Sequence, residues 1–203
     1  MDRSVLSLMF KNFSRDEAGK CAEKMLSDFQ RVYFEKYYAN PFPLCRSAVM
    51  ILLFVRNARL KTIMIERTDI GKHAGQISFP GGKWESSDAD NIATAIRETK
   101  EEIGINVLRD DVVGELLPVK VPVSSFEIFP VVAFVEGIGN FSKSENEVRR
   151  ILEVDIEDLH DSLDTRSVIV SGKQYDVPSF ICGKSVVWGA TAMIVAELFS
   201  VIR

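Results

Sequence analysis

The sequence predicts an α+β fold, a mixed sheet flanked by helices. Three observations lead there. Strand and helix signals alternate without the regular spacing of repeated βαβ units. Residues 48–66 read as a hairpin of two apolar strands. Residues 91–103 carry apolar side chains at helical spacing. The chain has 203 residues, 46% of them hydrophobic and 27% charged. That composition supports one core without disulfides or a structural metal and excludes intrinsic disorder.

Residues 15–36 predict an amphipathic helix, with Ala18, Cys21, Ala22, Met25, Leu26, Phe29, Val32 and Tyr33 on one face. Asn40-Pro41-Phe42-Pro43 ends it. Ala48–Val55 is an unbroken apolar run and predicts a buried strand. Asn57-Ala58-Arg59 turns the chain into a second strand, Leu60–Glu66. A loop rich in glycine and charge spans Arg67–Gly82. The helix at 91–103 closes on Gly104. Val112–Val119 and Phe126–Val135 predict strands, with Pro130 marking an edge or a bulge. Glu145–His160 mixes both signals. Arg166–Ser171 and Gln174–Ile181 form a late hairpin, and Trp188–Ile202 a closing helix. Residues 1–45 are read as a helical extension, residues 46–203 as the domain.

The net charge of −4 argues against a non-specific nucleic-acid binder, which needs a basic surface. Cys21, Cys45 and Cys182 are far apart, form no CxxC, and read as buried structural thiols. No apolar run approaches the ~20 residues of a membrane helix. No targeting segment is evident, so a cytoplasmic protein is expected. A homodimer is compatible with the sequence.

The helix at 91–103 carries the chemistry. At 100° per residue, Ile92, Ala95, Ile96, Thr99 and Ile103 fall on one face, suited to pack on the sheet. Glu98, Glu101 and Glu102 gather on another. Like charges at this spacing repel, and the C-terminal end of a helix disfavours anions. A bound divalent cation would relieve both penalties. Carboxylates without thiol or imidazole partners suit Mg²⁺ or Mn²⁺.

Gly82, Arg97-Glu98, Glu101-Glu102 and Gly104-Ile105 together resemble the Nudix hydrolase family. The spacing from Gly82 to Arg97 is one residue longer than in the general box, and no glutamate occupies the middle position, where Asp88 and Asp90 are the nearest acids. Thr99 replaces an aliphatic residue. The longer spacing is similar to the coenzyme A pyrophosphatase branch. So is the preceding stretch Lys72-His73-Ala74-Gly75-Gln76-Ile77-Ser78-Phe79-Pro80-Gly81-Gly82, with Arg67 ahead of it. Gly71 stands where that branch usually has an arginine. Further resemblance runs through Phe129-Pro130-Val131-Val132, Asn146-Glu147-Val148, Asp176-Val177-Pro178 and Val187–Ala192.

The resemblance implies a Nudix α/β/α sandwich and a pyrophosphohydrolase acting on coenzyme A or its derivatives. It implies Glu98 and Glu102 as metal ligands, with Glu101 supporting them or orienting the attacking water. Arg97 would orient these carboxylates, and Gly81 and Gly82 would form a tight loop beside metal and phosphate. Arg67, Lys72, His73 and Lys83 are candidate phosphate contacts. Asp88 is expected to cap the helix or its loop, and Glu127 and Glu147 are candidate extra acids. Two rivals stand beside this reading. One is the same chemistry on ADP-ribose or NADH; the other is a non-catalytic nucleotide sensor.

Overall fold

The computed structural model describes residues 2–12, 44–68, 74–121, 124–170 and 172–202. The helix expected over 15–36 lies outside them, as do Cys21, Lys72 and His73. Ahead of that gap stands α1, Arg3–Asn12, which the sequence reading does not assign. Its Leu6 is fully buried in a core cluster.

β1 (Cys45–Arg56) and β2 (Arg59–Arg67) pair antiparallel through a two-residue turn, with Asn57 and Ala58 both at positive φ. That turn geometry matches the twist of the strands it joins. Short β3 (Ile77–Ser78) pairs with β2, and β4 (Gly81–Lys83) pairs with β1. Then come α2 (Asn91–Ile103), β5 (Val112–Glu115), β6 (Val119–Val121) and β7 (Phe126–Phe134). β7 runs parallel to β1, which makes the sheet mixed. β8 (Val148–Asp155) pairs with β2 and leads into α3 (Ile156–Asp161). β9 (Asp164–Val170), β10 (Lys173–Cys182) and β11 (Ser185–Val187) form a second, three-stranded sheet. α4 (Gly189–Val201) closes the chain.

The apolar run of β1 is explained by burial on both faces. Ile51 and Leu53 pack with α4, while Ala48, Met50, Leu52 and Phe54 pack with Ala95 and Ile103 of α2. Each of the larger side chains among these contributes about 1.5–3 kcal/mol of burial. The sheet is thus the middle layer between α2 and α4, as the sequence predicts. On α2 the predicted face is the packed one. Thr99 is tolerated there because its hydroxyl donates to the Ala95 carbonyl at 2.6 Å.

Three expectations are corrected. The strand expected over 112–119 is two strands, because Pro118 has no N–H to give a ladder. Pro130 is not at an edge: β7 lies between β1 and the β5–β6 pair. The Pro130 carbonyl accepts from the Leu116 N–H at 3.0 Å, so the proline faces the side where its partner strand is broken. Cys45 is exposed and Cys182 only half-buried, so neither is a core thiol.

Candidate active site

The site is built on the C-terminal half of α2, the strand β4 and the end of β2. Asp90 caps α2 by accepting from the Ala93 N–H at 2.9 Å. Gly104 closes it in the left-handed conformation, φ 74°, with its N–H on the Lys100 carbonyl. Asp88, expected to cap the helix or its loop, caps the loop. It accepts from the Glu85 N–H and the Thr94 hydroxyl.

Arg97 organises the patch through five hydrogen bonds. Nε and Nη2 grip the two Asp88 oxygens at 3.1 and 3.0 Å. Nη1 reaches Glu98 Oε1 and Glu101 Oε2, both at 3.0 Å. Nη2 also donates to the Lys83 carbonyl at 2.9 Å. This fork joins β4, the loop and the helix. The guanidinium holds the Asp88 carboxyl down at about 2, and the acid in turn raises the Arg97 pKa. Missing from the sequence reading was the Asp88–Arg97 pair. Its signal would have been an acid that needs a cation once the loop buries it.

Glu102 is the most buried of the three carboxylates, at 1% exposure. Its Oε2 accepts from the Gly81 N–H at 2.8 Å, and its Oε1 lies 3.6 Å from Arg67 Nη1. Burial pushes its pKa up to about 8, against the opposing pull of the Gly81 N–H and Arg67; Glu98 and Glu147 push the same way as burial. Burial also raises Glu98, opposed by Arg97 and reinforced by Glu101 and Glu147. Glu147 therefore belongs to the field of this site, though it comes from the turn before β8. It is brought there by Thr68, whose N–H donates to the Glu147 carbonyl and whose hydroxyl donates to that of Asn146. Glu127 on β7 pairs instead with Lys120 at 3.9 Å.

The two glycines owe their identity to close approach. A Cβ on Gly82 would meet the Glu98 carboxylate, with Oε2 at 2.6 Å. A Cβ on Gly81 would strike the Ala48 carbonyl and lie 2.6 Å from Val49 Cα, so β4 could not sit on β1. Lys83 presents its ammonium over the Phe126 ring, 5.5 Å from the centroid.

Of the sequence-predicted residues, Arg67, Gly81, Gly82, Arg97, Glu98, Glu101 and Glu102 converge here, and Lys83 joins them through its carbonyl while its ammonium lies over Phe126. Among the described residues no three His, Cys, Asp or Glu side chains form a ready metal cluster. Arg97 draws Glu101 outward, leaving that side chain 55% exposed, while Arg67 sits by Glu102. The donor set nevertheless fits a hard divalent cation: oxygen ligands only, two of the carboxylates under-compensated for their burial, and a glycine that leaves one of them room. No described helix is long and apolar enough to cross a membrane.

Comparison with known proteins bears on the family and the fold. The family model described as the NUDIX domain matches residues 45–170. A Citrobacter koseri protein, the uncharacterized Nudix hydrolase NudL, is 33% identical over 165 residues, which span 75% of this chain and 81% of that protein. The Mus musculus mitochondrial coenzyme A diphosphatase NUDT8 is 35% identical over 159 residues, 75% of this chain and 71% of that protein. Among solved structures, a MutT/nudix family protein from Enterococcus faecalis superposes with a TM-score of 0.57 at 15% identity, covering 88% of this chain and 72% of that one. That last likeness concerns the fold alone.

Proposed function

Since the chain belongs to the Nudix hydrolase family, enzymes of nucleoside diphosphate compounds that generally need a divalent metal, we propose that it is a Mg²⁺- or Mn²⁺-dependent coenzyme A diphosphatase. The products would be 4′-phosphopantetheine, free or acylated, and adenosine 3′,5′-bisphosphate. The observation that carries the chemistry is the buried Glu102 carboxylate, set beside Glu98 and fixed by the Gly81 N–H. The extended spacing from Gly82 to Arg97 and the Lys72–Gly82 stretch support the substrate, as does the relative named a coenzyme A diphosphatase.

In this reading Glu98 and Glu102 would hold the metal, which would supply charge neutralisation on the phosphate oxygens and a water nucleophile at neutral pH. Glu101 lies on the same helix face and orients the attacking water. Arg97 keeps Glu98 and Glu101 in register with the loop. Gly81 seats β4 on β1, and Gly82 leaves room for the Glu98 carboxylate beside the metal and the diphosphate. Arg67, Lys72, His73 and Lys83 contact its anionic oxygens. The reaction adds water across one phosphorus–oxygen bond of the anhydride, so each product leaves with a phosphate monoester.

The test is one panel at fixed ionic strength: coenzyme A, dephospho-coenzyme A, ADP-ribose and NADH, each with and without Mg²⁺. Metal-dependent turnover with coenzyme A preferred is expected. Loss of the 3′-phosphate should lower kcat/KM about tenfold, the worth of one charge-assisted hydrogen bond. Equal kcat/KM for the first two, with faster ADP-ribose cleavage, would defeat the substrate and leave the chemistry. Binding without any turnover would make the protein a sensor.

A further inference from the structure

Arg67 and Arg97 both serve the acidic patch, but they are held very differently. Arg97 is locked by its five hydrogen bonds. Arg67 approaches Glu102 Oε1 only to 3.6 Å, beyond hydrogen-bond length, and its side chain is 37% exposed. Charge attracts it there, and no directional contact to Glu102 fixes it. The other Glu102 oxygen is occupied by the Gly81 N–H, so Oε1 is the oxygen left for a cation. Arg67 sits beside that oxygen.

The root of the side chain is fixed. The Arg67 N–H donates to the Gln76 carbonyl at 3.0 Å, and its own carbonyl accepts from the Gly75 N–H at 3.3 Å. The neighbouring Thr68 is tied to Asn146 and Glu147. Pairing between β2 and β8 shifts register between Glu66 and Arg67, a bulge of the kind that re-aims a side chain. A long, permanently charged arm thus swings from an anchored base.

We propose that Arg67 is an exchangeable counter-ion: it neutralises Glu102 while no divalent cation does, and turns to the diphosphate of the substrate when one takes that carboxylate. This rests on the metal-site reading above. A guanidinium and a divalent cation repel each other at a shared oxygen. The displaced guanidinium then needs an anion, and paired phosphate oxygens suit its planar fork. Occupancy by metal therefore favours the substrate anion, and by linkage the anion favours the metal.

The experiment measures Mn²⁺ binding by calorimetry or paramagnetic resonance, at one pH and one ionic strength for every variant. The anion probe is α,β-methylene-ADP, added to Mn²⁺-saturated protein. Arg67→Gln should bind Mn²⁺ on the order of tenfold more tightly than the wild type and bind the analogue on the order of tenfold less tightly. Arg67→Lys, which keeps the charge, should stay near the wild type for Mn²⁺. Unchanged or weaker Mn²⁺ binding in Arg67→Gln overturns the exchange, as does an Arg67→Lys protein that behaves like Arg67→Gln. Failure of the metal-site reading looks different: Mn²⁺ binding would be missing from the wild type or indifferent to Glu102→Gln.

Discussion

Glu197 should make the stability of this protein fall as pH rises toward neutrality. It lies on α4, 2% exposed, and its Oε1 accepts from the Leu117 N–H at 2.6 Å. That N–H lies in the break between β5 and β6. Burial pushes the carboxyl up from 4.5 to about 7, opposed only by the Leu117 hydrogen bond. The sign follows from the order of deprotonation. Below about pH 4.5 both folded and unfolded chains hold the proton, and the full contribution is present. Between there and pH 7 the unfolded chain releases it while the folded chain keeps it, so stability declines. Above pH 7 the loss is complete, at about 3 kcal/mol for a shift of this size. Glu197→Gln keeps the acceptor for Leu117 and removes the titration. Urea unfolding of both proteins from pH 4 to pH 8.5 measures the effect, because the other titrating groups cancel in the difference. The variant should gain about 3 kcal/mol on the wild type across that range, or about 6–12 °C in Tm. A difference independent of pH would refute the reasoning.

Three further predictions concern the site. Glu98→Gln and Glu102→Gln should each lower kcat at saturating Mg²⁺ by about 100-fold or more, while metal-free stability in thermal melts holds or rises as a repelling charge is removed. Gly82→Ala should cut kcat about tenfold with little change in Tm, because its Cβ displaces the Glu98 carboxylate; Gly81→Ala should instead cost about 1–3 kcal/mol in denaturant unfolding, because its Cβ meets backbone. Arg97→Gln should destabilise the fold by about 2–3 kcal/mol at pH 7. It should also flatten acid unfolding between about pH 4 and 2, the window in which the depressed Asp88 otherwise loses its contribution as pH falls.

Where a feature is written in neighbouring residues, it can be read before the fold is known. The β1 run is legible because burial on both faces leaves no polar position in Ala48–Phe54. The α2 face and the glutamate patch are legible because a helix fixes which residues i+3 and i+4 become neighbours. The break at Leu116–Pro118 hides itself differently. The lone Pro118 cannot say whether a strand ends or its partner compensates, and the group that compensates, Glu197, comes from a helix 80 positions away. Glu197 itself reads as an ordinary polar residue of α4 until Leu117 gives it a reason to be buried. α1 is short, capped by Asp2 accepting from the Val5 N–H at 3.1 Å, and its packing, with Phe10 filling the space over Gly114 of β5, makes Leu6 a core residue.

The same division runs through the site. The carboxylates sit on one helix, so their company is local and visible. Their counter-charges are only half local: Arg97 stands on the same helix but is held by Asp88 of the loop, and Arg67 reaches Glu102 from the end of β2. Gly82 shows how the two kinds of information meet. Its place beside Gly81 suggests a tight turn, yet Gly82 lies in a strand, and what excludes a side chain there is the Glu98 carboxylate on the packed helix. A requirement for glycine can be read from one position; the atom that imposes it lies across the layer. The glutamates alone describe an acidic helix face. A backbone N–H and a missing Cβ from β4, with a guanidinium from the end of β2, turn that face into the site we propose for a cation and a diphosphate.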